Sequence, residues 1–259
     1  MIKVVVGGST GRMGSVVCDM IHSSDDLKLV GAVAAPFEKT IGTEIYPGII
    51  VKTPDKIPEL LKNADVYVDL TAPVAAAETV PTIPKSGVAV VLGTTAVPQT
   101  ALDSLSKNVS KYGTSAVVTS NFAIGVNVFW EIAEQMAKML KDYDIEIIET
   151  HHSAKKDSPS GTAAETVKRI QSVTGIENVV YGRSGMTDGR GREIGVHSIR
   201  AGNVVGDHTV MFAGNMETLS LTHTAISRDV LARGCLACIR WIYGKKDGKV
   251  HSMKEVLGL

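Results

Sequence analysis

The chain has few cysteines, no excess of charge of either sign and no long apolar run. Its three cysteines, an odd number among 259 residues, do not make a disulfide framework, so a reducing cytoplasm is the expected compartment. Lys+Arg and Asp+Glu both total 27, and this balance argues against a nucleic-acid partner or a polybasic membrane anchor. No apolar segment reaches the ~18 residues of a membrane span, and a strand rather than a signal peptide is expected at the N-terminus. A soluble α/β protein is therefore predicted.

The pair Cys235-x-x-Cys238 is a spacing that can bind a metal or carry out redox chemistry. No second pair with zinc spacing accompanies it. Both cysteines fall on the apolar face of a helix predicted over 226–243, where a thiol behaves as a small hydrophobic group. We therefore expect both side chains to pack in the core, and we expect no metal site.

The N-terminal segment has the pattern of a strand, a glycine turn and a helix. Residues 2–6 are apolar and β-branched except for Lys3, and glycines follow at positions 8, 11 and 14. Apolar residues then recur at helical spacing from Val16 to Ile21. Glycine suits such a turn because the backbone bends tightly and lets a pyrophosphate approach the helix N-terminus without a Cβ in the way. The pattern predicts the opening of a dinucleotide-binding βαβ unit, although its spacing differs from the commoner G-x-G-x-x-G.

Strands and helices alternate over the first part of the chain. Strands are predicted over 2–6, 27–34, 66–70, 88–92 and 115–119, with helical segments over 58–63, 74–86 and 98–112. That alternation is typical of a parallel sheet, and the ligands of such sheets bind outside the carboxyl ends of the strands.

The pattern changes near residue 121. Helices are predicted over 126–140, 163–173 and 226–243, strands over 144–149, 194–200, 208–213 and 217–223, and a mobile Gly/Arg-rich loop over 182–192. Short links between the later strands favour an antiparallel or mixed sheet. The predicted fold class is α/β, with an N-terminal Rossmann-type parallel sheet and a second α+β domain carrying a mixed sheet. We expect a dinucleotide-binding domain at 1–121 and a second domain at 122–225, with the C-terminal helix in 226–259 returning to the first.

The segment from Glu149 to Ala163 concentrates the residues that can do chemistry. His151, His152 and Lys155 come just before a Pro-Ser-Gly-Thr turn, where a helix is predicted to begin. The first amides of a helix lack partners within it and carry the positive end of its dipole, so they bind anions. Imidazole, ammonium and amide groups together suit a small, carboxylate-rich substrate that must receive a proton. A solvated His/Lys loop is the alternative, and the density of polar and turn residues disfavours it.

Taken together, these motifs resemble those of the dihydrodipicolinate reductase (4-hydroxy-tetrahydrodipicolinate reductase) family, and the resemblance runs nearly from end to end. The shared segments are Gly8-x-x-Gly11-Arg12-Met13-Gly14, Leu92-Gly93-Thr94-Thr95, Asn121-Phe122-x-Ile124-Gly125-Val126-Asn127, the stretch from Glu149 to Ala163, Arg200-Ala-Gly202 and Gly206-Asp207-His208-Thr209. Ser158 stands where the family usually has alanine, and its hydroxyl could cap the following helix.

The resemblance implies a homotetrameric enzyme of the diaminopimelate route to lysine, whose second domain binds substrate and makes subunit contacts. It implies that NADH or NADPH reduces a cyclic 2,6-dicarboxylate with loss of the 4-hydroxyl as water. The implied acid/base pair is His151 and Lys155, and which of them delivers the proton stays open. The implied substrate-binding residues are His152, Ser160, Gly161 and Thr162. The implied cofactor-binding residues are Gly8, Ser9, Thr10, Gly11, Arg12, Met13, Gly93, Thr94, Thr95, Thr119, Ser120, Asn121 and Phe122.

Four basic residues of the second domain lie outside that set. For each of the four, His197, His208, His223 and Arg200, we expect structural hydrogen bonds. Arg200 has the strongest functional case of the four, because it belongs to a matched motif and could face an anion.

The segment after the second predicted strand bears on cofactor choice. A Rossmann strand that reads the ribose 2′-hydroxyl ends in Asp or Glu, whereas this chain has Val-Ala-Ala-Pro at 33–36. Glu38 is the nearest carboxylate, and Arg12 and Lys39 could both meet a 2′-phosphate. The sequence therefore leans slightly towards NADPH, with NADH as the other cofactor.

Two other classes of protein fit parts of this pattern. A semialdehyde or amino-acid dehydrogenase could share the N-terminal unit, but a semialdehyde dehydrogenase needs a nucleophilic cysteine, and none of the three suits that role. A non-catalytic nucleotide-binding sensor could also keep the fold. Such a sensor has no need for two histidines and a lysine beside an anion-binding helix start.

Overall fold

The computed structural model describes residues 1–186 and 189–259 of the chain. They form two compact units: unit 1 is Met1–Ile124 together with Asp229–Leu259, and unit 2 is Gly125–Arg228. Each unit carries its own β-sheet.

The strands, in chain order, are β1 Ile2–Gly7, β2 Leu27–Val33, β3 Glu44–Tyr46, β4 Ile49–Lys52, β5 Val66–Asp69, β6 Ala89–Leu92, β7 Ala116–Val118, β8 Asp144–His151, β9 Val179–Tyr181, β10 Ile194–Arg200, β11 Gly206–Ala213, β12 Thr218–Ala225 and β13 Val250–His251. The helices are α1 Arg12–His22, α2 Ile57–Leu60, α3 Pro73–Thr79, α4 Gln99–Tyr112, α5 Ile124–Met139, α6 Gly161–Thr174, α7 Asp229–Ile242 and α8 Met253–Leu257. Tighter 3₁₀ turns occupy Pro54–Lys56, Leu61–Asn63 and Val80–Ser86.

Unit 1 is built on an eight-stranded sheet in the order β13-β7-β6-β5-β1-β2-β4-β3. All neighbouring pairs are parallel except β3 with β4. The chain moves outward from β1 in one direction through β2 and in the other through β5, so the strand order reverses between β1 and β5. The predicted Rossmann-type parallel sheet is confirmed, and the short strands β3 and β13 add to it.

Helices cover both faces of this sheet because its strands present apolar side chains alternately to each face. Val4 and Val6 of β1 pack against α1 and α7, whereas Val5 packs against α2, α4 and the turn after α3. The helix predicted over 74–86 is α only as far as Thr79 and then tightens into a 3₁₀ turn that contains Pro84. Proline at such a position cannot donate an α-helical hydrogen bond.

All three cysteines lie in the core between α1, α7 and the sheet. Cys18, Cys235 and Cys238 are at most 1% exposed. Burial raises the pKa of Cys18 and of Cys238 to about 12, and it raises that of Cys235 as well. The prediction that Cys235 and Cys238 pack in the core is therefore confirmed.

Unit 2 contains a five-stranded sheet in the order β12-β11-β8-β10-β9. The central strand β8 runs parallel to β10 and antiparallel to β11, so the predicted mixed sheet is confirmed. Strand β9 lies beyond β10 and was not predicted. The loop predicted over 182–192 includes residues 187 and 188, which lie outside the described residues.

Candidate active site

Four loops of unit 1 meet at the carboxyl-terminal edge of its parallel sheet. They follow the adjacent strands β1, β5, β6 and β7, and they contain the residues proposed from the sequence at 8–13, 93–95 and 119–122. Loops at this edge, beside the point where strand order reverses, line the usual ligand crevice of such sheets.

The turn between β1 and α1 requires glycine at two positions. Gly8 has φ +74°, and a Cβ there would collide with the backbone of Leu70. A Cβ at Gly14 would collide with the carbonyl group of Gly8, so α1 begins in direct contact with the turn. This close approach leaves the N-terminus of α1 open to a phosphate group, which is the geometry that a dinucleotide needs.

Ser9 ties this turn to the neighbouring strand. Its amide and its hydroxyl both donate to the carbonyl oxygen of Val33, at 3.0 Å each, and Gly8 donates to the same oxygen at 2.9 Å. The side chain of Ser9 is buried, whereas Arg12 is exposed. Within this turn, Ser9 therefore holds the backbone in shape, and Arg12 presents a cation at the helix start.

A buried carboxylate that the sequence reasoning missed organises the next loops. Asp69, at the end of β5, accepts hydrogen bonds from the hydroxyls of Thr71 and Thr94, both at 2.7 Å, and from Tyr67 at 3.1 Å. Its only sequence signal is a charged residue ending a buried apolar strand. Asp69 thus fixes the loop that contains Gly93, Thr94 and Thr95.

Phe122 belongs to the core rather than to the surface of this edge. It is 4% exposed, and a Cβ at Gly93 would collide with its ring. In the same loop, Thr119 and Asn121 bind each other through the Thr119 hydroxyl, at 2.9 and 3.2 Å. The phenyl ring of Phe122 is therefore shielded from solvent at this edge.

In unit 2, strand β8 delivers Glu149 and His151 to one site. Side chains along β8 alternate, so Ile147, Glu149 and His151 all face its buried side. Arg200 lies opposite His151 on the neighbouring strand β10. That register lets its guanidinium clamp the Glu149 carboxylate with two hydrogen bonds, of 2.9 and 2.8 Å.

The Glu149 carboxylate is fully buried and is held in the ionised form. Burial by itself raises its pKa, but hydrogen bonds from Arg200, Ser198 and His151 outweigh that effect and hold the pKa at about 2. The backbone amide of Ser160 donates a further bond of 3.2 Å. The carboxylate therefore connects β8, β10 and the start of α6.

His151 is oriented by this carboxylate. Its Nδ1 contacts Glu149, and because an ionised carboxylate only accepts, Nδ1 carries the proton and Nε2 is left as the exchanging atom. Burial, together with the charges of Lys155 and Arg200, lowers the pKa of His151 by more than Glu149 raises it. The backbone at Gly206 lies close to Nε2, since a Cβ on that residue would be only 3.0 Å from this nitrogen.

His208 packs edge-on against His151, with ring centroids 5.1 Å apart. Its Nε2 lies 3.0 Å from the hydroxyl of Ser160. Burial, followed by the neighbouring His151, lowers the pKa of His208 to about 4, so this ring is neutral at neutral pH. The expectation of a structural hydrogen bond also fits His197, which lies 2.7 Å from Glu146.

Helix α6 begins at Gly161, and the expectation that Ser158 caps it is wrong. The cap is Ser160, whose hydroxyl accepts from the amide of Ala163 at 3.2 Å. A capping residue must directly precede the first helical residue, and Ser158 lies two positions too early. Below the helix, Trp130 donates to the carbonyl of Thr162 at 3.2 Å and fixes the first turn.

Lys155 and His152 are both partnered by charged side chains. The ammonium of Lys155 binds the two carboxylate oxygens of Asp157 at 2.8 and 2.9 Å. The backbone carbonyl of Asp157 in turn accepts from Arg200 at 2.6 Å. His152 Nε2 lies 3.1 Å from a guanidinium nitrogen of Arg228, a residue that the sequence reasoning did not select.

Over residues 1–186 and 189–259, no cluster of three or more His, Cys, Asp or Glu side chains could hold a metal ion. In the same ranges no helix has the length and apolar character needed to cross a membrane.

Unit 1 has the strand order and the glycine turn of a Rossmann fold, and unit 2 carries an oriented histidine and a lysine. These features place the protein in the class of two-unit oxidoreductases of the Rossmann type. Comparison with known proteins narrows this class. The family models described as "Dihydrodipicolinate reductase, N-terminus" and "Dihydrodipicolinate reductase, C-terminus" match residues 2–122 and 125–257. The chain belongs to the dihydrodipicolinate reductase family, as the resemblance in its motifs predicted.

Relatives of full length support this assignment. The 4-hydroxy-tetrahydrodipicolinate reductase of Methanospirillum hungatei is 42% identical over 261 residues, covering 100% of both chains. That of Methanocaldococcus jannaschii is 44% identical, covering 100% of this chain and 98% of its own. The dipicolinate-bound dihydrodipicolinate reductase of Paenisporosarcina sp. TG-14 has a TM-score of 0.84 at 24% identity, over 98% of this chain and 99% of that one. That likeness confirms the fold.

Proposed function

We propose that the protein reduces 4-hydroxy-tetrahydrodipicolinate to tetrahydrodipicolinate in the diaminopimelate route to lysine. In this reaction one hydride and one proton enter the substrate and one water leaves. The observation that carries the proposal is the Glu149–His151 pair beside Lys155 and the start of α6, in a chain whose relatives of the same length carry this reductase name. The site combines proton-exchanging groups with donors for carboxylates.

The proposed substrate is a small cyclic dicarboxylate bound by His152, Ser160, Gly161 and Thr162. Gly161 begins α6 and is exposed, so its amide belongs to the helix N-terminus that attracts anions. Ser160 is buried and contributes by capping this turn. Its role is thus to present the helix start to the carboxylate.

We assign proton delivery to Lys155. Its ammonium nitrogen is held in place by Asp157, whereas burial, with the charges of Lys155 and Arg200, lowers the pKa of His151 and favours its neutral form. Two carboxylates arriving nearby would raise the pKa of His151, because negative charge stabilises the imidazolium. His151 then stabilises the negative charge that develops on the substrate and exchanges a proton through Nε2.

The proposed cofactor is NADPH, with NADH accepted more weakly. When bound, it supplies the hydride. The glycine turn fits a dinucleotide, since a Cβ at Gly8 or Gly14 would collide with backbone. Arg12 and Lys39 are exposed cations, and the chain has no acidic residue at 33–36 to read a ribose 2′-hydroxyl. We propose that the loops at 8–13, 93–95 and 119–122 line the cofactor.

We further propose a cytoplasmic homotetramer, with residues 1–121 and the C-terminal segment binding the cofactor and 122–225 binding substrate and making the subunit contacts. The edge strand β12 supports such contacts, since its side chains are mostly exposed and Leu219 is among them. Light scattering after size-exclusion chromatography tests the assembly. A monomer at micromolar concentration would contradict this part of the proposal.

The activity is tested by following oxidation of NADPH and of NADH while the substrate is made in place from pyruvate and aspartate semialdehyde by the preceding synthase. Oxidation that requires the synthase is expected, at a higher rate with NADPH. Folded protein that oxidises neither cofactor would refute the proposal, and a higher rate with NADH would refute the cofactor preference.

Pyridine-2,6-dicarboxylate, a planar dicarboxylate, separates the reductase from the two alternatives. It should raise the melting temperature of the cofactor-loaded protein, because a ligand that binds only the folded state stabilises it. A nucleotide sensor predicts no such shift. A semialdehyde dehydrogenase also predicts none, and it would need a reactive thiol, whereas burial raises the pKa of all three cysteines.

A further inference from the structure

A cavity of unit 2 lies beside the loop that carries His152. Its volume is about 700 Å³, within the roughly 300–1,000 Å³ range of small-molecule sites. The polar residues that line it are His152, Ser153, Asn203, Ser227 and Arg228. Two of these are basic and none is acidic, so the lining favours an anion.

The two basic side chains are joined in a way that leaves positive charge facing the cavity. A guanidinium nitrogen of Arg228 lies 3.1 Å from His152 Nε2. An arginine only donates, so Nε2 is the acceptor and the proton of a neutral His152 lies on Nδ1. The charge of Arg228 is not cancelled by this bond. Among residues 1–186 and 189–259, no Asp or Glu lines the cavity.

Backbone hydrogen bonds hold the loop that carries His152. The amide of Lys155 donates to the carbonyl of His152 at 3.1 Å, and that of Ser153 donates to Gly202 at 3.1 Å. Arg228 is exposed at the end of unit 2. An exposed guanidinium that contacts a histidine in a cavity lined by no acidic residue suits a carboxylate from outside the chain, since its planar fork matches two oxygens.

We infer that Arg228, together with His152, binds one of the two carboxylates of the substrate and makes the enzyme selective for diacids over monoacids. This inference rests on the proposed function. The helix start at Gly161 receives the other carboxylate, so the two ends of the ring are held by different elements of unit 2. Arg228 is thereby a specificity-determining residue that none of the sequence motifs selected.

The test compares pyridine-2,6-dicarboxylate with pyridine-2-carboxylate, each titrated calorimetrically into NADPH-loaded protein. The variants are Arg228→Gln and Arg228→Lys, with Arg233→Gln as a matched control that removes an exposed arginine of α7 outside the cavity. Wild type and control should prefer the diacid by about 10- to 100-fold, the value of one charge-assisted hydrogen-bonded pair. In Arg228→Gln that preference should fall to within about threefold, whereas Arg228→Lys should keep part of it.

Three results would overturn this inference, and a fourth would refute the proposed function instead. A preserved diacid preference in Arg228→Gln would overturn it, and so would an equal loss of affinity for both acids. A matching loss of NADPH affinity would overturn it too, because Arg228 would then serve the cofactor. Wild-type protein that binds neither acid and shows no synthase-dependent oxidation would instead refute the proposed function as a whole. The melting temperature of Arg228→Gln should equal that of wild type, since the side chain is exposed.

Discussion

Replacing Glu149 by glutamine removes one negative charge from the buried centre of unit 2 with little change in shape. The guanidinium of Arg200 and the Nδ1–H of His151 then face a neutral amide. Because the carboxylate pKa is lowered from 4.5 to about 2, the folded state favours the ionised form. At about 1.4 kcal/mol for each tenfold change in proton affinity, its contribution to the free energy of unfolding is about 3 kcal/mol at neutral pH.

The sign of the pH dependence follows from the same shift. A carboxyl group whose pKa is lowered by folding stabilises the protein above its unfolded pKa. That stabilisation should therefore disappear as the pH falls from about 4.5 towards 2. Glutamine does not titrate, so the difference in unfolding free energy between wild type and Glu149→Gln should be largest at neutral pH and shrink below pH 4.5.

Turnover should fall as well, by roughly 100-fold, the lower range for general acid–base catalysis. Glu149 raises the pKa of His151, so its removal should move the limb of the pH–rate profile that reports His151 to lower pH. Urea unfolding at several pH values and steady-state kinetics measure the two effects. The matched control is Glu146→Gln on the same strand, which loses ion pairs to Arg183 and Arg190 and should lose stability with turnover retained.

Two outcomes would refute this reasoning. One is a stability loss below about 1 kcal/mol at neutral pH, the value expected of a surface ion pair. The other is an unchanged pH–rate profile with reduced turnover, which would mean that Glu149 supports the fold without acting through His151.

Three further predictions concern neighbouring residues. His151→Gln and Lys155→Ala should each lower turnover far more than NADPH affinity, and near-normal turnover in either variant would contradict the role assigned to that residue. Gly206→Ala should reduce turnover by at least about tenfold, because its Cβ would lie 3.0 Å from His151 Nε2, where proton exchange needs room; kinetics with an unchanged rate would show that the ring does not need this space. Since the pKa of His208 is lowered from 6.5 to about 4, the unfolded chain binds the proton first, and stability should fall by about 3 kcal/mol from pH 6.5 to 4. Urea unfolding should show a flatter dependence for His208→Gln, and an equally steep one would exclude His208 as the cause.

Much of the fold could be predicted because its signals are local. Strand β10 has the predicted bounds, and most longer elements start within two residues of the predicted positions. Each is long enough for an apolar period to show. Strands β3, β9 and β13 have two or three residues, too few for any period, and they form because a neighbouring strand edge pairs with them.

The sequence by itself determined which chemical groups are present and their local setting: glycines at a tight turn, two imidazoles and a lysine before a helix start, and cysteines on an apolar helix face. Tertiary structure decided their partners. The pairing of Arg200 with Glu149 depends on the register of β10 against β8, and their 51-residue separation leaves no local trace. The contact of Arg228 with His152, 76 residues apart, likewise arises only when the chain folds. Hydrogen bonds act over about 3 Å, so a sequence pattern can name the donors, but only the packed strands and loops decide which acceptors they reach.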